Sequence, residues 1–307
     1  MQYTLQRSTT IAAPLQQVMD TITDFATWAQ WSPWAVIDPE QQVTLSGTPG
    51  QIGHRMEWEG RLSGKGQMTI THRSDAEMRV ALQFWKPFKS QASSRFSLTE
   101  QGGQTEVTWQ MQAHMPWFLF WMIPTMKSMV EMDFDQGLLM LRSLIETGKI
   151  ESTITYEGLV DFTGFSVVGL QKTSPMDSIG EDMQGLFDRI GRDMGEAYFG
   201  RHWLALYPKV DMRHKRFTYT VAVSDEKLGG RSLGPDYVQQ TLPSTKALKI
   251  THTGSYEFLG SAWSRGMMEV RAQKLRQHGA PFEYYVNSPH DTPEADLITE
   301  IYFPVRG

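Results

Sequence analysis

Two periodicities run through the chain. Short stretches that alternate apolar and polar residues predict strands, and longer ones with apolar residues three or four apart predict helices. The first half opens with a strand, Tyr3 to Thr10, then a short helix begun at Ala13-Pro14 and carried by Val18 and Ile22. Proline suits a first helical turn, where its missing N–H would have had no partner. A Pro-broken segment follows, holding Phe25, Trp28, Trp31, Pro33 and Trp34. Six further strands are predicted: Val43 to Ser46, Gly53 to Gly60, Gln67 to His72, Met78 to Phe84, Ser94 to Thr99 and Thr105 to Ala113. Gly47, Pro49-Gly50, Gly64, Gly66 and Gly102-Gly103 separate them, the punctuation of an antiparallel meander. A long helix closes this half. From Met126, the residues Val130, Phe134, Leu138, Leu141 and Ile145 form one apolar stripe, and Gly148 supplies its stop. A sheet wrapped round such a helix encloses space of the kind that apolar ligands occupy.

Lys149 to Thr155 is polar and reads as a linker, and an internal repeat follows it. Unit one is strand (Phe165 to Lys172), helix (about Asp177 to Phe199, stopped by Gly200), strand (His202 to Lys209) and strand (Arg216 to Ser224). Unit two is strand (Ala247 to Thr253), helix (about Tyr256 to His278, stopped by Gly279), strand (Pro281 to Asn287) and strand (Leu297 to Val305). Ile179, Met183, Leu186, Phe187, Ile190, Met194 and Tyr198 stripe the first helix; Leu259, Trp263, Met267 and Val270 stripe the second. Gly229-Gly230 reads as an inter-unit turn. Two such β-α-β-β units joined about a pseudo-twofold axis leave a cleft at their junction.

The last two strands carry the chemistry. Phe282, Tyr284 and Val286 alternate with Glu283, Tyr285 and Asn287, and Ile301, Phe303 and Val305 alternate with Glu300 and Tyr302. Two carboxylates and two tyrosines are therefore expected on one surface. A carboxylate among aromatic rings is poorly solvated, and a cation with apolar area suits it; the plainer alternative is that both Glu are wet sheet edges. Laid on unit one, unit two puts Glu283 opposite Leu204 and Glu300 opposite Thr218, where packing required no charge.

With 307 residues, two domains are expected, at 1–149 and 150–307. A net charge of −5 without long runs of one sign disfavours a nucleic-acid partner. The absence of cysteine excludes disulfides, thiolate metal sites and a cysteine nucleophile. Met1 to Arg7 lacks the apolar core of a signal peptide, so a cytoplasmic location is expected. The most apolar run, Trp117 to Ile123, falls short of the roughly 20 residues a bilayer requires, so no stable membrane insertion is expected. Its rings are expected to cover the end of the cavity, the alternatives being a lid or a membrane-touching edge. Eight of the 10 Trp precede residue 122, which suggests a roomy apolar interior or simply a well-filled core. His54, His72, His114, His278 and His290 are isolated, and no nucleotide or zinc motif is present, so neither a metal nor a cofactor is expected.

Two resemblances fit this organisation. The order "RSTTIAAPLQQVMDTITDFATWAQWSPW", "HRMEWEG…GKGQMTI", "TEVTWQMQ" and terminal helix resembles the SRPBCC superfamily of START-like and polyketide-cyclase-like helix-grip proteins over residues 1 to 149. That resemblance implies a deep hydrophobic cavity and no particular reaction. "KITHTGSYEFLGSAW" with "GAPFEYYVNSPHDTPEADLITEIYFPV" resembles the GyrI-like small-molecule-binding family, which also forms the effector-binding half of many AraC-type and MerR-type regulators. It implies an α+β class throughout, and a cleft for hydrophobic, often cationic compounds, with a central Glu and surrounding aromatics. Carried across, the Glu is Glu283 and the rings are Tyr256, Trp263, Tyr285 and Tyr302, with Trp203 and Tyr219 from unit one; Glu300 is a second candidate carboxylate on the alternation and repeat comparison alone. No helix-turn-helix precedes this half, so the DNA-binding part of such regulators is missing from the sequence given. Binding of a hydrophobic or cationic small molecule is the expected function. The alternative is a hydrolase of reactive lipophilic molecules, with Glu283 as general base and Tyr256 or Tyr285 as proton donor.

Overall fold

The computed structural model describes residues 1–115, 117–195, 202–225 and 233–306. The chain divides into two compact units, Met1–Ile150 and Glu151–Gly307. In the first, strand β1 (Gln2–Ile11) precedes three short helices, α1 (Leu15–Thr23), α2 (Trp28–Trp31) and α3 (Pro33–Ile37). The meander follows as β2 (Gln42–Ser46), β3 (Arg55–Gly60), β4 (Gly64–Arg73), β5 (Glu77–Lys86), β6 (Ser90–Gln101) and β7 (Gln104–His114). The sheet order is β1-β7-β6-β5-β4-β3-β2, and all of these pairings are antiparallel.

Helix α4 (Ile123–Thr147) carries the predicted stripe, with Phe134, Leu138 and Leu141 buried. Gly148 ends it in a left-handed conformation, φ 77°, its N–H bonding Leu144 O at 2.9 Å. Gly137 lets the helix lie close, since a Cβ there would come within 2.9 Å of the Trp109 ring and 3.0 Å of Pro33. The concentrated aromatics fill this part of the interior: Trp109 stacks on Phe134 and Phe96, with centroids 3.9 and 4.8 Å apart, and meets Trp28 and Trp31 edge-on. The Trp117–Met122 turn departs from its expected role. Its side chains are not turned inward as a cover; Trp117, Phe118, Phe120 and Trp121 are 76, 59, 58 and 60% exposed.

Among the described residues the second unit holds eight strands and two α-helices. They are β8 (Ser152–Phe162), β9 (Phe165–Pro175), α5 (Ile179–Met194), β10 (Trp203–Asp211), β11 (Arg216–Ser224), β12 (Tyr237–Leu242), β13 (Thr245–Gly254), α6 (Leu259–Ala272), β14 (Phe282–Tyr285) and β15 (Ile298–Val305). The order β12-β9-β11-β10-β14-β15-β13-β8 is symmetric about the β10–β14 pair, as two β-α-β-β repeats each extended by an extra strand would give. Those extra strands, β8 and β12, are additions to the sequence pattern. The linker expected to reach Thr155 stops short, because Ser152 already pairs with Gly254.

Two residues join β8, at one edge of the sheet, to β9 near the other. Such a link spans roughly 11 Å at most, so the sheet must curl until its edges approach there. Gly164 N–H donates to Ser244 Oγ at 2.9 Å, tying this link to the one between β12 and β13. The curled interior collects Phe162, Phe165, Val167, Leu204, Phe282 and Tyr302. The outer face packs under both helices, α5 over one apolar cluster and α6 over another. Gly266 makes the second contact close, as a Cβ there would fall 2.1 Å from the Phe303 ring.

Both helices end earlier than the glycine signals predicted. Helix α5 stops at Met194 with Gly195 as C-cap, φ 59°, while Tyr198 to Gly200 lie outside the described residues, as does Gly229-Gly230. Helix α6 stops at Ala272 because Lys274 takes the left-handed position, φ 54°. Lys274 N–H then bonds Arg271 O at 3.1 Å and Leu275 N–H bonds Val270 O at 2.9 Å, the paired bonds of a Schellman end without glycine.

Candidate functional site

Glu283 sits on the outer face of β14, beneath the helices. In the antiparallel ladder it lies opposite Ala205 of β10 on one side and Ile301 of β15 on the other, so the three side chains share that face. This register also corrects the repeat comparison. Val221 faces Ala205 as Ile301 faces Glu283, which makes Ala205, and not Leu204, the counterpart of Glu283. By the same pairing Thr220, and not Thr218, corresponds to Glu300, since Leu206 faces Thr220 as Tyr284 faces Glu300. The pseudo-axis therefore pairs a small apolar residue with a carboxylate at the same point of the sheet.

The carboxylate is 4% exposed and is held by neutral donors. Trp263 Nε1, from α6, donates to Oε1 at 2.6 Å and the Tyr285 hydroxyl donates to Oε2; the Tyr207 hydroxyl of β10, which contacts Met183 Sδ at 3.7 Å, lies near enough to favour the carboxylate as well. Burial raises its pKa, and these three neutral groups oppose that rise without cancelling it. Among the described residues no Lys, Arg or His is paired with it. Around this group Tyr207 meets Trp263 edge-on at 4.9 Å, while Tyr285 meets Tyr256 at 5.7 Å and Phe187 at 5.6 Å. Burial and the nearby carboxylate raise the Tyr207 and Tyr285 phenols well above their ordinary value and push Tyr256 to about 12. All three hydroxyls therefore stay protonated at neutral pH.

Of the expected site residues, Glu283, Tyr285, Trp263 and Tyr256 come together. Trp203 lies directly opposite Tyr285 on the same face. Tyr219 is buried in the same core, but its hydroxyl bonds Ser174 Oγ at 3.0 Å instead. Glu300 and Tyr302 are a correction. Tyr302 pairs with Phe282 and Glu300 with Tyr284, so both point to the face opposite Glu283, and the two carboxylates do not line one surface. There Lys249 Nζ lies 2.7 Å from Glu300 Oε1, and the Tyr302 hydroxyl donates to Oε2 at 2.6 Å. Glu300 thus carries its own internal cation, which Glu283 lacks.

Sequence reading missed Tyr207, although Trp203, Ala205 and Tyr207 alternate along β10. It also missed two polar groups beside the cage. Tyr285, Thr299 and His252 are successive cross-strand neighbours on the outer face, and both Thr299 and His252 are fully buried. Thr299 Oγ1 and His252 Nδ1 have no hydrogen-bond partner among the described residues, while His252 Nε2 lies 3.0 Å from Ser152 Oγ. Burial lowers the His252 pKa to about 4. In the first unit Asp133, on α4, is pushed up to about 7 by burial, against a hydrogen bond from Trp34. No cluster of three or more metal-ligating side chains exists among the described residues, and no helix among them is long and apolar enough to cross a membrane.

Comparison with known families agrees with this architecture. Residues 2–146 match the family described as polyketide cyclase / dehydrase and lipid transport, and residues 159–306 match the GyrI-like small molecule binding domain. The chain thus joins a domain of the first family to a GyrI-like small-molecule-binding domain. No curated protein sequence matches it. Among solved structures, it is similar to a cryo-EM structure of an EcmrR–DNA complex, at 19% identity and TM-score 0.42, covering 60% of this chain and 66% of that one. It is also similar to the crystal structure of the EcmrR C-terminal domain, at 21% identity and TM-score 0.42, covering 49% of this chain and 98% of that one. A third is SAV2435 bound to tetraphenylphosphonium, at 20% identity and TM-score 0.36, covering 50% of this chain and 94% of that one.

Proposed function

We propose that the C-terminal domain binds lipophilic cations, with Glu283 as counter-ion and Tyr207, Trp263, Tyr285 and Tyr256 as the aromatic wall. One observation carries this: a carboxylate 4% exposed, held by neutral donors and by no cation of the described residues. A small hydrated cation would have to shed its water to reach such a group, whereas a large organic cation brings apolar area and little hydration to lose. Each ring face turned to the charge would add about 0.5–2 kcal/mol. Glu300 is set aside, because Lys249 already neutralises it. Sensing or sequestration in the cytoplasm, without a nucleic-acid partner, follows as the role. A second, apolar site in the N-terminal domain belongs to the same proposal, and Asp133 beside Trp34 is its polar candidate.

Calorimetric titration of the full chain with tetraphenylphosphonium and with neutral triphenylphosphine oxide tests it. Saturable binding of the cation with little binding of the neutral compound supports the proposal; equal binding of both rejects a role for the charge. The raised pKa of Glu283 also suits a general base, so candidate reactive esters and epoxides recovered after incubation should be weighed. An epoxide recovered heavier by one water, or an ester recovered as its acid and alcohol, would make the domain a hydrolase.

A further inference from the structure

At one end of the N-terminal sheet the aromatic turn stands beside a hairpin tip of opposite character. The 3₁₀ turn Trp117–Met122 leaves β7 just beyond His114, and the β5–β6 hairpin closes at the same end, two residues beyond the Ala92–Ala113 pair. That hairpin tip carries Phe88, 64% exposed, between Lys86 and Lys89, both exposed. Five large rings are therefore turned to solvent within one end of one sheet. Large exposed apolar patches on soluble proteins mark interaction sites, whereas single exposed rings do not, and here five gather at one end.

The charge around the rings selects the partner. The sequence has no Asp or Glu before Asp20, none between Glu77 and Glu100, and none between Glu106 and Glu131. Those three gaps contain the start of β1, the whole β5–β6 tip and the aromatic turn. Glu59 is the acidic neighbour, and it is held by Lys65 and Lys86 at 2.6 and 2.8 Å. A local excess of cations in a chain of net charge −5 is a segregation of charge. Two copies of this end brought face to face would set like charges against each other, which disfavours self-association through it.

We propose that this end of the N-terminal domain docks peripherally on an anionic lipid bilayer. Trp117, Phe118, Phe120, Trp121 and Phe88 enter the headgroup region, and Lys89, exposed beside Phe88, meets the lipid phosphates. Trp and Phe favour that depth because the rings gain apolar contact while an indole N–H stays within reach of polar groups. A six-residue turn cannot cross the bilayer, so the contact is interfacial.

Co-sedimentation of the full chain with phosphatidylcholine vesicles, and with vesicles also containing phosphatidylglycerol, tests this. Binding is expected to the anionic vesicles, to weaken with added salt, and to fall about tenfold or more in the double variant Trp117→Ser/Trp121→Ser. Both side chains are exposed, so the circular dichroism of the variant should be unchanged. Lys89→Glu should weaken binding to anionic vesicles while leaving the residual affinity for neutral ones alone. The proposal is overturned if the unaltered protein binds neither vesicle, or if the double variant binds as well as the parent. A concentration-dependent dimer that the double variant abolishes, without lipid binding, would assign the surface to a second copy and also overturn it.

Discussion

The Trp263 indole N–H and the Glu283 carboxylate, 2.6 Å apart, join helix α6 to strand β14 through a buried bond between a neutral donor and an anion. Trp263→Phe keeps an aromatic ring between Tyr207 and Phe303 while deleting the donor and part of the ring area. With one of three opposing groups gone, the Glu283 pKa should rise further. Cation affinity measured against pH should therefore show its acidic limb displaced upward, with a loss at neutral pH of about tenfold.

Glu283→Gln should stabilise the fold. A carboxyl whose folded pKa exceeds its unfolded value costs stability as pH rises through the unfolded value, and the full cost is present above the folded pKa. The amide removes that cost at neutral pH, so the variant should melt about 2–4 °C higher for each kcal/mol relieved. Near pH 4, where the parent carboxyl is largely protonated in both states, the difference should vanish. Scanning calorimetry at the two pH values decides it.

His252 gives a second pH signature with the opposite sense. Its pKa is lowered to about 4, so between the unfolded value near 6.5 and about 4 the unfolded chain takes up a proton that the folded chain refuses. Stability should fall across that window by up to about 3 kcal/mol and be unaffected above it. His252→Asn, whatever its effect on stability at neutral pH, should flatten the slope; chemical denaturation at several pH values measures it.

The two units should fold separately. Fragments ending at Ile150 and beginning at Glu151 should each give a single cooperative melt. A fragment that fails to fold alone contradicts this division of the chain.

How much of this was legible depended on whether a signal was local. The α4 stripe and its Gly148 stop could be read because the core face and the left-handed cap both lie within one element. The end of α6 could not be, because Lys274 fills a position where glycine is the usual signal. The start of strand β8 reads as linker in the sequence because Ser152 to Thr155 is polar but for Ile154 and lies at an exposed sheet edge. Glu283 and Tyr285 were paired correctly within one strand. Glu300 and Tyr302 were assigned to their face wrongly, because the relative phase of β14 and β15 is set by the connection between them and not by either strand's alternation. Tyr207 lay in plain alternation with Trp203, but nothing in its own strand announced the carboxylate it would meet across the pseudo-axis.

The most direct test of the central claim is the affinity of tetraphenylphosphonium for the parent protein and for Glu283→Gln, measured by calorimetry at neutral pH and constant salt. Loss of the carboxylate charge within the aromatic wall, at nearly constant shape, should weaken binding tenfold or more, in keeping with the roughly 2–5 kcal/mol that removing one partner of a buried charge pair costs. Equal affinity in the two proteins would contradict the claim, and would move the ligand away from Glu283.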